Sequence, residues 1–424
     1  MRHSSSRRSS TIIFAVCAAL LACAPASRAA APEDSKIFTP YFNMNLSEGW
    51  YLPSKGDIFS GGNMDTQVGL LTKLNERNNI FGLYSFRYQG PSFQPQDSTQ
   101  FQSRQINHLF SLEYRWLSFS ELWRIRPGAS YAKTFSRTGG NEDWGTGLYN
   151  MKSVGGQLAV DYLFTMKGRD GSLTAQYLYR SVKFPNYTDL LQEFQGATST
   201  SEISEGLYDQ GVNQYSLRAN WNRMTFGLTY SRMGYDNQTI VENTGVYGSA
   251  KQKDKCFTVD IGAYRRWGLM ELYPVLSASM YRSNQGYLRY KYFGATPTLG
   301  NLNDPSGDVT YVGDNYSYNQ YDLNVPVEFN FSAISKWSMS GGAWLTRRNY
   351  TARPPRDANN NYMGGTQNNT LVRFYAGFRK HMNDVADFRI TYMFTVASSN
   401  NKFEYYMPYN YIGNSVNFSY NLAF

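Results

Sequence analysis

The chain has 424 residues and a net charge of +9, enough length for a large core or several domains. Aromatic residues make up 16% of it, with 35 tyrosines and 26 phenylalanines, yet the mean hydropathy is −0.51. That excludes a helical membrane protein, which needs apolar runs of about 18 residues or more, and a disordered chain, which is poor in aromatics.

Arg2, Arg7 and Arg8 precede the apolar run TIIFAVCAALLACA, and small residues follow up to Ser27-Arg28-Ala29-Ala30. Basic start, apolar middle and small-residue end are the parts of a cleaved secretory signal peptide, so residues 1–29 are read as the leader, cut after Ala29. Leu20-Leu21-Ala22-Cys23 also resembles a lipoprotein cleavage box, which would put lipid on Cys23; the bulky Leu21 argues for the downstream cut. Residues 30–37 form a short segment before the first patterned stretch, and past the leader Cys256 has no cysteine to pair with.

From Phe38 to the end, segments recur in which every second residue is apolar, less cleanly in 67–74, 80–88, 172–180, 272–281 and 337–345. FTPYFNMNL (38–46), QVGLLTKL (67–74), IFGLYSFRY (80–88), INHLFSLEYRW (106–116) and WRIRPGASY (123–131) come first. GQLAVDYLF (156–164), SLTAQYLYR (172–180), QYSLRANW (214–221), MTFGLTY (224–230), CFTVDIGAY (256–264) and LYPVLSASMY (272–281) follow. The series ends with YDLNVPVEFNF (321–331), WSMSGGAWL (337–345), LVRFYAGF (371–378), DFRITYMFTV (387–396) and GNSVNFSYNLAF (413–424). The phase switches between segments, as it does for independent strands with two different faces. Most have the length of about 9 to 11 residues that crosses a bilayer as a tilted strand.

Short connections such as NERN (75–78), MKGRDG (166–171), Asn222-Arg223 and HMND (381–384) alternate with long polar ones, among them 90–105, 184–210, 284–319, 351–368 and 398–410. Tight turns on one side and longer loops on the other are the habit of an up-and-down barrel in an outer membrane. In hydrocarbon every backbone N–H and C=O needs a partner, so strands cross only as a closed barrel with an apolar outer face. A soluble sandwich has strands of about 5 to 6 residues, and a propeller packs four into each 40 to 45 or so; neither fits. Pro40, Pro127, Pro274 and Pro326 fall inside assigned strands and each removes a ladder donor. The predicted fold is all-β: a transmembrane up-and-down antiparallel β-barrel over 38–424, of about 16 strands with about 14 and 18 as bounds, behind a cleaved signal peptide.

Leader, alternating strands, tyrosine-rich strand ends and a last strand closing on Tyr420, Leu422 and Phe424 resemble Gram-negative outer-membrane β-barrels of the porin type. The resemblance implies a bacterial outer-membrane location and, for Phe424 with Leu422 and Tyr420, a signal read by the barrel assembly machinery. It also implies outer-membrane lipid and lipopolysaccharide as surroundings, and leaves a homotrimer open.

If the apolar parity faces lipid, the other faces the lumen. Lys73, Arg87, Arg115, Arg124, Arg126, Arg180, Arg218, Arg266, Arg348, Arg373, Arg379 and Arg389 then point inward, against Glu113, Asp161, Asp260, Asp322 and Glu328. Sixteen or so strands leave an aqueous channel, and a net cationic lining favours anions. Part of the set is also expected to brace the wall: Glu113 faces Arg126 across a hairpin, and Asp387 is near Arg379. The expected function is a porin-like channel for small polar, anionic solutes, with Arg87, Arg115, Arg124, Arg126, Arg180, Arg218, Arg348, Arg373 and Arg389 as pore lining. The alternatives are an export barrel for an acidic exopolysaccharide and a plugged structural or adhesive barrel. In the 284–319 loop, Tyr287, Tyr290, Tyr292 and Phe293 are candidates to stack on a sugar, and Asp304, Asp308 and Asp314 lack the spacing of a calcium loop.

No enzyme, cofactor or metal is expected. His108 shares the outward parity of Phe110 and Leu112 while Ser111 faces the other way, so they cannot form a nucleophile–base pair. One cysteine and two histidines past the leader make no metal set, and an exported barrel is not expected to meet nucleic acid.

Overall fold

Alternation becomes register once the strands pair. The computed structural model describes residues 37–55, 59–90, 104–137, 143–147, 149–187, 208–241, 247–285, 316–331, 336–359, 361–404 and 408–424. The leader with its cut site, and the ring and acid candidates within 286–315, lie outside the described residues. The barrel occupies the unit Pro40–Phe424, and Met1–Thr39 forms a separate unit.

Eighteen antiparallel segments follow one another: β1 (Phe38–Pro53), β2 (Phe59–Asn75), β3 (Asn78–Gln89), β4 (Arg104–Leu117), β5 (Trp123–Arg137), β6 (Met151–Met166), β7 (Arg169–Lys183), β8 (Gln210–Trp221) and β9 (Met224–Val241). Then come β10 (Tyr247–Ala263), β11 (Arg265–Trp267), β12 (Met270–Leu272), β13 (Val275–Ser283), β14 (Tyr318–Asn330), β15 (Trp337–Tyr350), β16 (Asn368–His381), β17 (Ala386–Ser399) and β18 (Tyr411–Ala423). Each pairs with its neighbours, and β18 returns to β1 in a register running from Asn43↔Ala423 to Pro53↔Gly413. Closure leaves no free edge, the condition for crossing hydrocarbon.

Two staves are interrupted: β10 and β11 break at Tyr264, and β12 and β13 break at Tyr273-Pro274. Counting each broken pair as one stave gives sixteen. The predicted problem with proline is resolved at one of these breaks. Pro274 sits outside the ladder, where its carbonyl accepts from the Ala263 N–H at 3.0 Å, while the Tyr273 N–H donates to the Pro326 carbonyl at 3.1 Å. Pro40, Pro127 and Pro326 remain inside β1, β5 and β14, each at the cost of one donor.

Tight turns carry the chemistry that two-residue hairpins need. Asn222 and Arg223 have φ of 47° and 69°, and Lys167 and Gly168 have 53° and 68°, the left-handed pair of a turn whose twist matches the strands. Trp116, Trp123, Trp221, Trp267 and Trp337 all stand at strand ends beside these turns, as an interfacial aromatic belt does. The belt marks the turn side as one membrane interface. Full strands are longer than the predicted 9 to 11 or so residues: β9 has 18 and β2 has 17, so their loop-side ends rise past the apolar band.

Candidate functional site

Two faces of opposite character run the length of the wall. On β16, Phe374 and Phe378 are exposed on the outer parity, while Arg373, Tyr375, Gly377 and Arg379 take the inner one. The same rule places Arg87, Arg115, Arg124, Arg126, Arg180, Arg218, Arg348, Arg373 and Arg389 on the inner face. Asp65, Asp254, Glu271 and Asp387 share it, as their contacts with inward side chains show. These acids were absent from the sequence count, so the cationic excess is smaller than twelve against five. Three of them lie just ahead of the segments recognised by alternation, Asp65 and Asp254 toward the loop-side strand ends and Glu271 beside the tight turn after β11.

The inner face divides by how its arginines are satisfied. On β4 to β6, Asp161 is fully buried and accepts from Arg124 Nε at 2.6 Å, from Arg126 Nε at 2.9 Å and from the Thr174 hydroxyl at 2.7 Å. Glu113 accepts from Arg115 Nε at 2.6 Å, Arg126 Nη1 at 3.5 Å and Gln157 Nε2 at 3.2 Å. The expected Glu113–Arg126 bridge is therefore one link of a network that ties four staves together, β4 to β7. Arg87 is held by Asp65 at 2.7 Å. Near the turn side Arg379 reaches Asp387 at 2.9 Å and Glu328 at 3.6 Å, and Arg266 reaches Glu271 at 3.7 Å.

On the seam from β15 through β18 to β1, Arg373 and Arg389 differ from the paired Arg379. Arg373 forms no ion pair among the described residues; its guanidinium lies 5.0 Å from the Trp344 ring centre, and Tyr51 and Tyr411 are within its electrostatic reach. Arg389 lies directly across from Arg379 in the ladder and near Tyr375, again without a carboxylate of its own among the described residues. Two glycines make the tyrosines fit: a Cβ on Gly413 would stand 2.5 Å from Tyr51 Oη, and one on Gly342 would stand 2.7 Å from Tyr375 Oη. Trp344 faces inward and keeps 40% exposure, so the space in front of it is unfilled by described residues.

Arg180 and Arg218 are exposed on the inner face of β7 and β8. Arg348 is buried, donating from Nε to Gln320 Oε1 at 2.9 Å with its guanidinium 4.3 Å from the Tyr318 ring centre. The aromatic members Tyr51, Trp344, Tyr375 and Tyr411 were missed by sequence reading. A signal was present: Trp344 is a large ring on the polar parity of Ser338, Ser340 and Gly342.

His108 points outward, with Nδ1 2.9 Å from the Tyr84 hydroxyl and its ring edge-on to Phe86 and Phe135. Phe424 extends the closing strand: it exchanges backbone hydrogen bonds with Phe42 at 2.8 and 2.9 Å, and the two rings stack at 4.9 Å.

No family model matches the chain, and no curated protein matches it. Solved structures similar to it include "Bacterial polysaccharide outer membrane secretin", at 11% identity and TM-score 0.42 over 90% of this chain and 98% of the other. OmpT of Vibrio cholerae, an outer membrane protein in trimer form, aligns at 10% and 0.45 over 92% and 100%. An anion-selective porin from Comamonas acidovorans aligns at 7% and 0.44 over 91% and 99%. Such identities and scores carry no inference about activity. The closed sixteen-stave wall, apolar outside and belted with tryptophan, is by its own construction an outer-membrane β-barrel.

Proposed function

We propose that the chain is an outer-membrane channel for small polar solutes with a preference for anions, set by Arg373 and Arg389 on the β15-to-β1 seam. The observation that carries this reading is that Arg373 and Arg389 on the inner wall have no carboxylate partner among the described residues, with unfilled space beside Trp344. A sixteen-stave barrel is wide enough for water, and uncompensated charge on a low-dielectric wall raises the local concentration of counter-ions. The paired arginines of β4 to β6 add little, because their field is cancelled within about 3 Å by carboxylates. Planar-bilayer recording tests the proposal: stepwise conductance with a reversal potential on the anion side is expected in a potassium chloride gradient. The double variant Arg373→Gln, Arg389→Gln should lower the anion-to-cation permeability ratio by about two-fold or more. Absence of conductance, or cation preference, overturns it.

A further inference from the structure

On the outer wall, three cations stand directly side by side. Arg232 on β9 is the ladder partner of Lys255 on β10, and Lys255 is the partner of Arg282 on β13. All three lie on the parity of Tyr230, Phe257 and Met280, the lipid-facing one. Like charges directly opposite destabilise a sheet, so this row needs a counter-charge. Arg232 and Lys255 are exposed and have no hydrogen-bond or ion-pair partner among the described residues. Among the described residues Arg282 donates only to the Tyr281 and Tyr318 carbonyls and to Asn319 Oδ1. Asp236, an outward acid further along β9, is engaged by Lys183 at 2.9 Å.

The row has a defined height. β9 climbs from the Asn222-Arg223 turn, and Arg232 is eight residues beyond Met224, about 20 Å up the membrane normal for a tilted strand. That is the loop-side edge of the apolar band. Directly beneath it, on the turn side, Tyr230 and Phe257 form one end of a groove in the outer wall of about 480 Å³. Its floor is Ala175, and Tyr177 and Tyr215 wall it, with their rings 5.0 Å apart.

We infer that this is a binding site for a phosphorylated, acylated glycolipid of the outer leaflet: phosphates rest on Arg232, Lys255 and Arg282, and an acyl chain lies in the groove over Ala175. Charge complementarity supplies the headgroup, and the apolar groove continuous with it supplies the tail. Three adjacent staves set the outer cations about 10 Å apart, a span that suits a headgroup with two separate phosphates better than a single phosphodiester.

Native mass spectrometry of the detergent-solubilised barrel titrated with diphosphoryl lipid A, monophosphoryl lipid A or phosphatidylglycerol tests the site. The wild-type barrel should retain the diphosphoryl lipid most tightly. Neutralising cations as Arg232→Gln, Lys255→Gln, Arg282→Gln should weaken retention by about five-fold for each charge removed. Ala175→Trp, which fills the groove and leaves the cations, should weaken it too while sparing binding of a deacylated diphosphoryl headgroup. Folding of each variant is read from its heat-dependent gel migration; the single variant Lys255→Gln serves if the triple one does not fold. Equal retention by wild type and a folded cation variant overturns the site, and retention of phosphatidylglycerol as tight as that of diphosphoryl lipid A overturns the glycolipid assignment.

Discussion

Arg126 on β5 and Arg373 on β16 occupy equivalent positions, each on the inner face of a stave. Arg126 reaches Asp161 and Glu113, whereas Arg373 lies against a tryptophan, with two tyrosines within its electrostatic reach. The same side chain therefore does two jobs in one barrel. Where acids sit on the adjoining staves it ties them together and its field is spent locally. Where the neighbours are glycines and rings, its charge is left for the lumen. An inner wall is thus better described by which arginines lack carboxylates than by how many it has.

The largest expected effect comes from breaking the compensated wall. Asp161→Ala strands Arg124 and leaves Arg126 only its 3.5 Å contact with Glu113, and unfolding of the reconstituted barrel by denaturant should show a loss of about 2 kcal/mol. That is below the ~3–5 kcal/mol of a wholly buried pair, because the Arg124 side chain keeps 41% exposure. An unchanged midpoint would mean that the network is ornamental. On the opposite seam, deleting Phe424 removes the Phe42 stack and the last two closing hydrogen bonds, about 1–2 kcal/mol in all. Membrane fractionation should show less inserted protein with export to the periplasm intact, and normal insertion would deny Phe424 a role in assembly.

Trp344→Glu would make the seam resemble β4 to β6, since Trp344 and Arg373 are ladder partners. Its permeability ratio should fall about as far as that of Arg373→Gln, roughly two-fold; an unaltered ratio would place selectivity elsewhere. The smallest effect concerns the loops above the seam, where Glu404 accepts from Lys55 and from Asn410 at 2.7 Å. Burial alone would raise the Glu404 carboxyl, but these hydrogen bonds hold it below its usual value of 4.5. The clasp is fully formed above pH 4.5 and is lost as pH falls through the depressed native value. With Lys55 half exposed it contributes at most about 1 kcal/mol. Hydrogen exchange around Ser54 and Asn410 should quicken on acidification in wild type and be fast at every pH in Glu404→Gln.

Legibility followed the solvent. Val416, Phe418, Tyr420 and Leu422 had to alternate with polar residues because one side meets hydrocarbon and the other does not, and that contrast is written into single residues. The sixteen staves, the tight-turn side and the inward parity of the nine arginines could be read this way. Asp65 and Asp254 escaped because the loop-side ends of their strands rise out of the bilayer, where alternation is no longer enforced, and Glu271 escaped because it lies beside the tight turn in a stave broken at Tyr273-Pro274. The 284–319 loop was singled out by length alone, and its central part lies outside the described residues.

By itself, then, the sequence determined a closed, two-faced wall and which residues face each way, since both follow from period two and from the need to satisfy every backbone group in lipid. Only the tertiary structure decided which arginines are neutralised. Whether a charge finds a partner depends on cross-strand register, and register brings Arg126 to Asp161 across residues 35 apart in sequence while setting Arg373 beside Trp344. The same register lined up Arg232, Lys255 and Arg282 on the outer wall, a juxtaposition that no one of their three strands contains.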